Sequence, residues 1–106
     1  MRDYPVAGGE CAHVAVGICI VELYLGEAVS LKDKRRVLKS ILDRIKARFN
    51  VSIAEVDQQD LWQRASVAFA CVSNKQSHAC QVLNAVVKFL ESQNHAQIID
   101  YQTEIL

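Results

Sequence analysis

The chain has 106 residues, of which 51% are hydrophobic, and its 12 Lys and Arg residues balance its 12 Asp and Glu residues. These values predict one globular domain with an apolar core, and they exclude a two-domain protein and a largely disordered chain. The longest apolar run, residues 14–25, is short for a membrane helix and contains Glu22. Asp3 and Glu10 stand where a secretory signal would be basic, so we expect a cytoplasmic protein with no membrane partner.

The positive charge is concentrated in one segment of this neutral chain. Residues 30–50, with the sequence SLKDKRRVLKSILDRIKARFN, hold eight of the twelve Lys and Arg residues and only two acids. The rest of the chain has four bases against ten acids. This asymmetry favours a surface that binds an anionic partner, although it does not identify a reaction.

The predicted elements begin after a flexible N-terminal extension, residues 1–11, which contains Pro5, Gly8 and Gly9. A single domain is expected over residues 12–106. Its predicted elements, in chain order, are a strand at 13–25, a helix at 31–49, a strand at 51–56, a strand at about 61–72, a helix at 75–93 and a strand at 97–106.

Capping residues and apolar spacing support both helices. Ser30 is a predicted N-cap with Asp33 three residues later, and Ser73 and Asn74 offer a cap for the second helix. The apolar residues of the first helix gather within about 100° on a helical wheel, which predicts an amphipathic helix that packs on a core. They are Leu31, Leu38, Ile41, Leu42, Ile45 and Phe49.

The order βαββαβ predicts an α+β protein with the ferredoxin-like fold. In that fold, right-handed crossovers place both helices on one face of a four-stranded antiparallel sheet. Glu22 marks the other face of the first strand, which would also present Val16, Ile18, Ile20 and Tyr24. This is a large apolar surface to leave in water, so we expect a partner to cover it, most simply a second copy in a homodimer.

Two stretches resemble a known family. SLKDKRR at residues 30–36 and RFNVSIAEVDQQDLWQRA at residues 48–65 are similar to the YlxP-like family, small bacterial proteins classed as a domain of unknown function. The resemblance covers residues 14–106. It implies a ferredoxin-like fold, and the genes beside those of family members imply a link to translation or ribosome assembly. It supplies no activity and no catalytic residue.

The basic side of the first helix has three readings. Its predicted nucleic-acid-binding residues are Lys32, Arg35, Arg36, Lys39 and Lys46, while Arg44 and Arg48 occupy the other flank. Asp43 is placed to pair with Lys39 and Lys46, which would neutralise part of the charge. The flank is a solvated surface, a phosphate-binding surface or a docking site for an acidic protein. If all five residues contacted phosphates of single-stranded RNA, the log–log salt slope would be about −3.5.

Base stacking on the sheet is not expected. Sheets that recognise RNA carry aromatic residues at the middle of the two central strands, and this chain has no such pair. Tyr24 and Trp62 are expected at opposite ends of neighbouring strands. Contacts to the RNA backbone are therefore favoured over stacking.

The turn at residues 55–64 has three interpretations. Glu55, Asp57 and Asp60 are most simply structural, because such side chains bind backbone amides in turns. Trp62 and Arg64 are predicted partner contacts, together with Ile18, Ile20 and Tyr24. The third interpretation, metal binding or acid–base chemistry by the carboxylates, is the weakest.

The remaining residues give no enzymatic signature. Four cysteines and three histidines show no metal-ligand spacing, and the cysteines are expected to be mostly buried, reduced thiols. We therefore expect no catalytic residue, no metal and no cofactor. The predicted function is that of an accessory protein that meets RNA or a ribosomal subunit through the basic helix. The alternative is a homodimeric interaction or regulatory module that does not bind nucleic acid.

Overall fold

The protein is described by a computed structural model that covers all 106 residues. Its elements are β1 (Arg2–Pro5), β2 (Cys11–Tyr24), α1 (Leu31–Arg48), β3 (Ser52–Asp57), β4 (Arg64–Ser73), α2 (Gln76–Glu91) and β5 (Gln97–Ile105). The predicted α+β class is confirmed, and from β2 onward the order is βαββαβ. The predicted count of four strands is wrong, because the antiparallel sheet has five.

The additional strand lies in the segment that was expected to be a flexible extension. β1 pairs with the beginning of β2, where Arg2 lies opposite Val14 and Pro5 opposite Cys11. The two strands form a hairpin, residues 1–14, which we call the arm. β1 packs against β2 alone, so the arm extends from the domain and contributes to a longest dimension of 57 Å.

The sheet of the domain has the strand order β5-β2-β4-β3, and every neighbouring pair is antiparallel. β2 is central and is paired with β4 on one side and β5 on the other. β3 is connected to β2 through α1, and β5 to β4 through α2, so each helix crosses over a strand of the sheet. This is the order that the ferredoxin-like plan requires.

Both helices cover the same face of the sheet. Alternate residues of β2, such as Cys19, Val21 and Leu23, are buried beneath them, as period-two alternation requires. α2 approaches β2 closely at Gly17, where an added Cβ would lie 2.8 Å from Cδ1 of Leu83. The 20 apolar residues of this layer form one core.

The cap of α1 is confirmed and that of α2 is not. Ser30 Oγ accepts a hydrogen bond from the backbone N–H of Asp33 at 3.1 Å. α2 begins after Lys75, whose side chain makes no capping bond, while Ser73 Oγ accepts from the N–H of Lys75 at 3.1 Å. Neither helix combines the length and the apolar character that crossing a bilayer requires.

Candidate functional site

The exposed side of α1 carries a row of positive side chains. Lys32, Lys39 and Lys46 recur every seven residues, so they lie nearly in line over about 21 Å of the helix. Arg35 lies beside this line, and Arg36 lies one turn beyond Lys32. All five predicted nucleic-acid-binding residues are therefore exposed on the side of α1 that faces solvent. We call them the basic row.

Two members of the basic row are engaged by carboxylates. Lys39 Nζ lies 2.6 Å from Asp43 Oδ2, and Arg36 Nη2 lies 3.7 Å from Asp33 Oδ1. The hydrogen bond from Lys39, reinforced by the charges of Lys39 and Lys46, lowers the pKa of Asp43 below its ordinary value. Lys46 itself makes no ion pair.

The other three cations of the row have no carboxylate within 4.0 Å. They are Lys32, Arg35 and Lys46. Exposed ion pairs are worth little and exchange readily for other partners, so Lys39 and Arg36 remain accessible to a stronger anion. The geometry therefore supplies three free cations and two that compete with carboxylates.

Lys34 belongs to the basic segment but not to its exposed surface. Its side chain is 1% exposed, its Nζ lies 2.8 Å from Glu55 Oε2, and it donates a 2.7 Å hydrogen bond to the carbonyl oxygen of Gln58. Glu55 Oε2 is buried and accepts no hydrogen bond, so the nearby charge of Lys34 is what compensates it. Lys34 therefore fixes α1 to β3 and to the turn that follows β3.

Arg44 and Arg48 lie on the opposite flank of α1. Arg48 stands 5.0 Å from the ring of Phe89, a cation–π contact that joins the two helices. Arg44 donates to the carbonyl oxygen of Ser40 at 3.3 Å and lines a groove of about 350 Å³. Arg36, Gln93 and His95 also line this groove.

Sequence reasoning did not find the groove, because its two walls are distant in the chain. One wall belongs to α1, and the other follows α2 at residues 93–95. His95 Nδ1 lies 2.9 Å from Glu27 Oε2, so the groove is bordered by charges of both signs. The only feature of the sequence that pointed to this groove was the position of Arg44, on the flank of α1 away from the basic row.

The predicted partner residues lie on the face of the sheet that the helices leave open. Ile18 is half-buried, and Ile20 and Tyr24 are 44% and 40% exposed. β4 extends this face with Ala68 and Ala70, which lie opposite Ile20 and Ile18. Val72, opposite Val16, is 71% exposed and was missed, because its place beside β2 follows only from strand pairing.

Tyr24 and Trp62 lie at the same end of the sheet, so the prediction of opposite ends is wrong. β2 and β4 are antiparallel, and Tyr24 pairs with Arg64, two residues beyond Trp62. The N–H of Leu25 donates to the carbonyl oxygen of Gln63 at 2.8 Å, which continues the pairing. Tyr24, Trp62 and Arg64 are all exposed, and Tyr24 and Arg64 are paired at this end of the open face.

The carboxylates of the predicted acidic turn hold the turn in place. Asp57 Oδ1 accepts a 2.8 Å hydrogen bond from the N–H of Gln58, which has a left-handed φ of 60°. The Gln58 side chain donates to Glu22 Oε2 at 2.6 Å, and so does Ser66 Oγ. No three His, Cys, Asp or Glu side chains gather closely enough to share a metal ion.

The four thiols are free and differ in exposure. Cys19 and Cys71 are buried, Cys80 is half-buried and Cys11 is exposed on the arm. Burial raises the pKa of Cys19 and of Cys71 above the ordinary value. Neither buried thiol is set up as a nucleophile, since the thiolate is the reactive form.

Comparison with known proteins gives a family and a fold. A family model described as "Protein of unknown function (DUF503)" matches residues 16–103. The uncharacterized protein YlxP of Bacillus subtilis (strain 168) is 43% identical over 77 residues, which are 73% of this chain and 84% of that protein. The de novo designed protein Foldit4 is similar in structure, with a TM-score of 0.51 and 13% identity, over 87% of this chain and 96% of that one.

Proposed function

Since the chain belongs to the DUF503, or YlxP-like, family of proteins of unknown function, we propose its role from its surface: it is a cytoplasmic, non-enzymatic accessory protein that binds RNA through the basic row of α1. The family resemblance implies a link to translation, so ribosomal RNA is the first RNA to test. The chain uses this surface to contact phosphates and carries out no reaction there.

The observation that carries the proposal is the arrangement of charge on α1. A chain of zero net charge presents Lys32, Arg35 and Lys46 on one exposed side with no carboxylate partner. A solvated helix gains more from alternating charges, because pairs of opposite sign at i and i+4 stabilise it and like charges do not. A row of unpaired cations is what a polyanion requires.

Backbone contact is favoured over base recognition. The middle of the open sheet face presents Ile18, Ile20, Ala68 and Ala70, where an RNA-recognition sheet would present stacking aromatics. Tyr24 stands at one end of this face, beside Arg64, and not at its middle. The basic row also lies on the helical side of the domain, away from that face. RNA would therefore be bound through its phosphates, with little preference for sequence.

The salt dependence of binding measures how many cations participate. For single-stranded RNA each contact contributes about −0.7 to the log–log slope, so the three unpaired cations predict about −2 and all five predict about −3.5. A slope between these values would mean that Lys39 or Arg36 leaves its carboxylate for a phosphate.

The proposal is tested by fluorescence anisotropy with a labelled single-stranded RNA and by sedimentation with ribosomal subunits. The variant Lys32→Glu/Lys46→Glu should lose most of the binding. The matched control is Lys75→Glu/Lys88→Glu, which changes the net charge equally at two exposed lysines outside α1. The control should retain binding.

Equal binding by the wild type and the α1 variant would contradict the proposal. Equal loss in both variants would also contradict it, because binding would then depend on net charge and not on the basic row. Nucleic acid that copurifies with the wild type and is released by high salt would support it, if the α1 variant purifies without it.

A further inference from the structure

The arm and the open sheet face form one continuous surface, whose middle is apolar and which carries Glu10 and Glu22 toward its two ends. Residues on alternate positions of β2 share a face, so Ala12 and Val14 of the arm continue the side that presents Val16, Ile18 and Ile20. On β1, Tyr4 lies opposite Ala12, and cross-strand partners share a face. We call this combined surface the apolar strip.

The other side of the arm carries two polar residues, Asp3 and His13, beside Pro5 and Cys11. Asp3 Oδ1 and His13 Nδ1 form a hydrogen bond of 2.6 Å there, and both side chains are 62% exposed. The arm is therefore amphipathic, yet nothing in the monomer covers its apolar side, where Tyr4 and Val6 are 48% and 46% exposed. An isolated two-stranded hairpin is marginally stable in water. The arm needs a surface to pack on.

We propose that the apolar strip binds a second copy of this chain, face to face and with the strands of the two copies running in opposite directions, so that each arm covers the far end of its partner's sheet. The two-fold axis lies midway between the two sheets, runs parallel to them and across the strands, and passes over Gly17. This surface is independent of the basic row, which lies on the helical side of the domain.

The charges on the face select this orientation. An axis at Gly17 places Glu10, near the tip of one arm, over Tyr24 of the second copy and beside the Arg64 that pairs with that Tyr24. Arg2 lies opposite Val14, and the same rotation places it over a row of β5 residues in the second copy, beside that copy's Ile20. That row is acidic, since Asp100 and Glu104 stand on either side of Gln102.

The apolar residues match in the same arrangement. Val16 of each copy meets Ile18 of the other at the centre, and the small side chains of Ala68 and Ala70 allow the two sheets to approach. In contrast, a two-fold axis parallel to the strands would stack arm on arm and bring Glu10 of one copy to the level of Glu10 of the other, so that like charges would meet. The antiparallel arrangement covers Tyr4 and Val6 with the partner's sheet and keeps the two Glu10 residues apart.

The strip is large enough for a dimer. β2 has 14 residues, which at about 3.3 Å each make a strip about 46 Å long, and three strands are about 14 Å wide. Because the arm has only two strands, the flat area is about 600 Å² per copy, or about 1,200 Å² for the pair, which is the lower limit for a specific stable interface. A stable dimer is therefore expected.

The test is the oligomeric state of the full chain, measured by sedimentation equilibrium over a wide range of concentration. The wild type should be a dimer. Ile20→Asp should raise the dissociation constant by about tenfold or more, because it buries a charge at the centre of the strip. Tyr4→Asp should do the same, because each arm packs on the partner's sheet, and a dimer unaffected by Tyr4→Asp would overturn the role of the arm. Far-UV circular dichroism verifies that each variant is folded.

A charge exchange tests the orientation. Glu10→Arg and Arg64→Glu should each weaken the dimer, and the double variant Glu10→Arg/Arg64→Glu should recover it. A monomeric wild type would overturn the proposal, as would a dimer unaffected by Ile20→Asp. Failure of the double variant to recover would overturn the antiparallel arrangement. The variant Lys32→Glu/Lys46→Glu should remain dimeric, so the dimer and RNA binding fail or succeed separately.

Discussion

Lys34 of α1 and Gln58 of the β3–β4 turn are joined by a 2.7 Å hydrogen bond from the ammonium group to a backbone carbonyl oxygen. The same ammonium lies 2.8 Å from Glu55 Oε2, and it is 1% exposed. The buried side chain of Lys34 thus holds Gln58, which has a left-handed backbone conformation. The side-chain amide of Gln58 in turn donates to Glu22, on the face of the sheet that the helices leave open. The turn that resembles the known family is positioned by the helix that carries the basic row.

Replacement of Lys34 by Met should destabilise the protein by about 1–3 kcal/mol, because it leaves the half-buried Glu55 carboxylate and the carbonyl oxygen of Gln58 without their partner. The free energy of unfolding is measured with urea by circular dichroism. The double variant Lys34→Met/Glu55→Leu should recover most of the loss, since no uncompensated charge remains. A loss below about 0.5 kcal/mol in the single variant, typical of a surface substitution, would contradict this account of Lys34.

Replacement of Gly17 by Ala should cost about 1–3 kcal/mol of unfolding free energy, because overpacking a core forces neighbouring groups to move. The added Cβ would lie 2.8 Å from Cδ1 of Leu83 and 3.4 Å from Sγ of Cys71. In a Leu83→Ala background the same replacement should cost much less, because the obstructing methyl group is absent. Additive losses in the double variant would show that Gly17 and Leu83 do not interact.

The pKa of Asp43 should lie below its ordinary value of 3.8, and Lys39→Met should raise it toward that value. A depressed pKa in the folded state means that the ion pair contributes stability above the pKa of the unfolded state and loses it as the pH falls through the folded pKa. The contribution should therefore disappear only in strong acid. Carboxyl chemical shifts measured by NMR during an acid titration verify the direction.

Removal of the Asp43 charge should strengthen RNA binding. In Asp43→Asn, Lys39 loses its 2.6 Å partner and becomes available to a phosphate. The affinity should rise, and the log–log salt slope should steepen by about 0.7, the contribution of one more contact. Fluorescence anisotropy at several salt concentrations measures both. An unchanged slope would contradict this prediction, because it would mean that Lys39 makes the same phosphate contact, or none, in both proteins.

The thiols should react in the order of their exposure. Cys11 should react with a thiol reagent at once, whereas Cys19 and Cys71 should react only when the protein opens. Because burial raises the pKa of these two thiols, their contribution to stability is complete below the unfolded-state pKa and is lost as the pH rises through the folded one. Stability should therefore decline in strong alkali, and Cys19→Ala should reduce that decline.

Much of the basic row was predictable, because its residues are close in sequence. Helical periodicity fixes the relative positions of Lys32, Lys39 and Lys46 whatever the helix packs against. The Lys39–Asp43 pair followed from the same rule. The sequence did not predict the ion pair between Lys34 and Glu55, because the two residues meet only when α1 packs on β3.

The open face was predictable for one strand and not for its neighbours. Alternation along β2 placed Ile18 and Ile20 on one side without knowledge of the fold. The positions of Val72 and Arg64 beside that strand depend on strand direction and register, which local patterns do not encode. The same limitation led to the wrong placement of Tyr24 relative to Trp62.

Local sequence patterns were enough to predict the helices, most strands and the concentration of charge, because propensity, capping and periodicity depend on a few neighbouring residues. Long-range packing decided the rest: that residues 1–11 contain a fifth strand, that Lys34 is buried and that the arm continues the open face. These features depend on which distant residues meet. A β-strand finds its partner through hydrogen bonds between segments, so its neighbours are known only when the whole chain has folded.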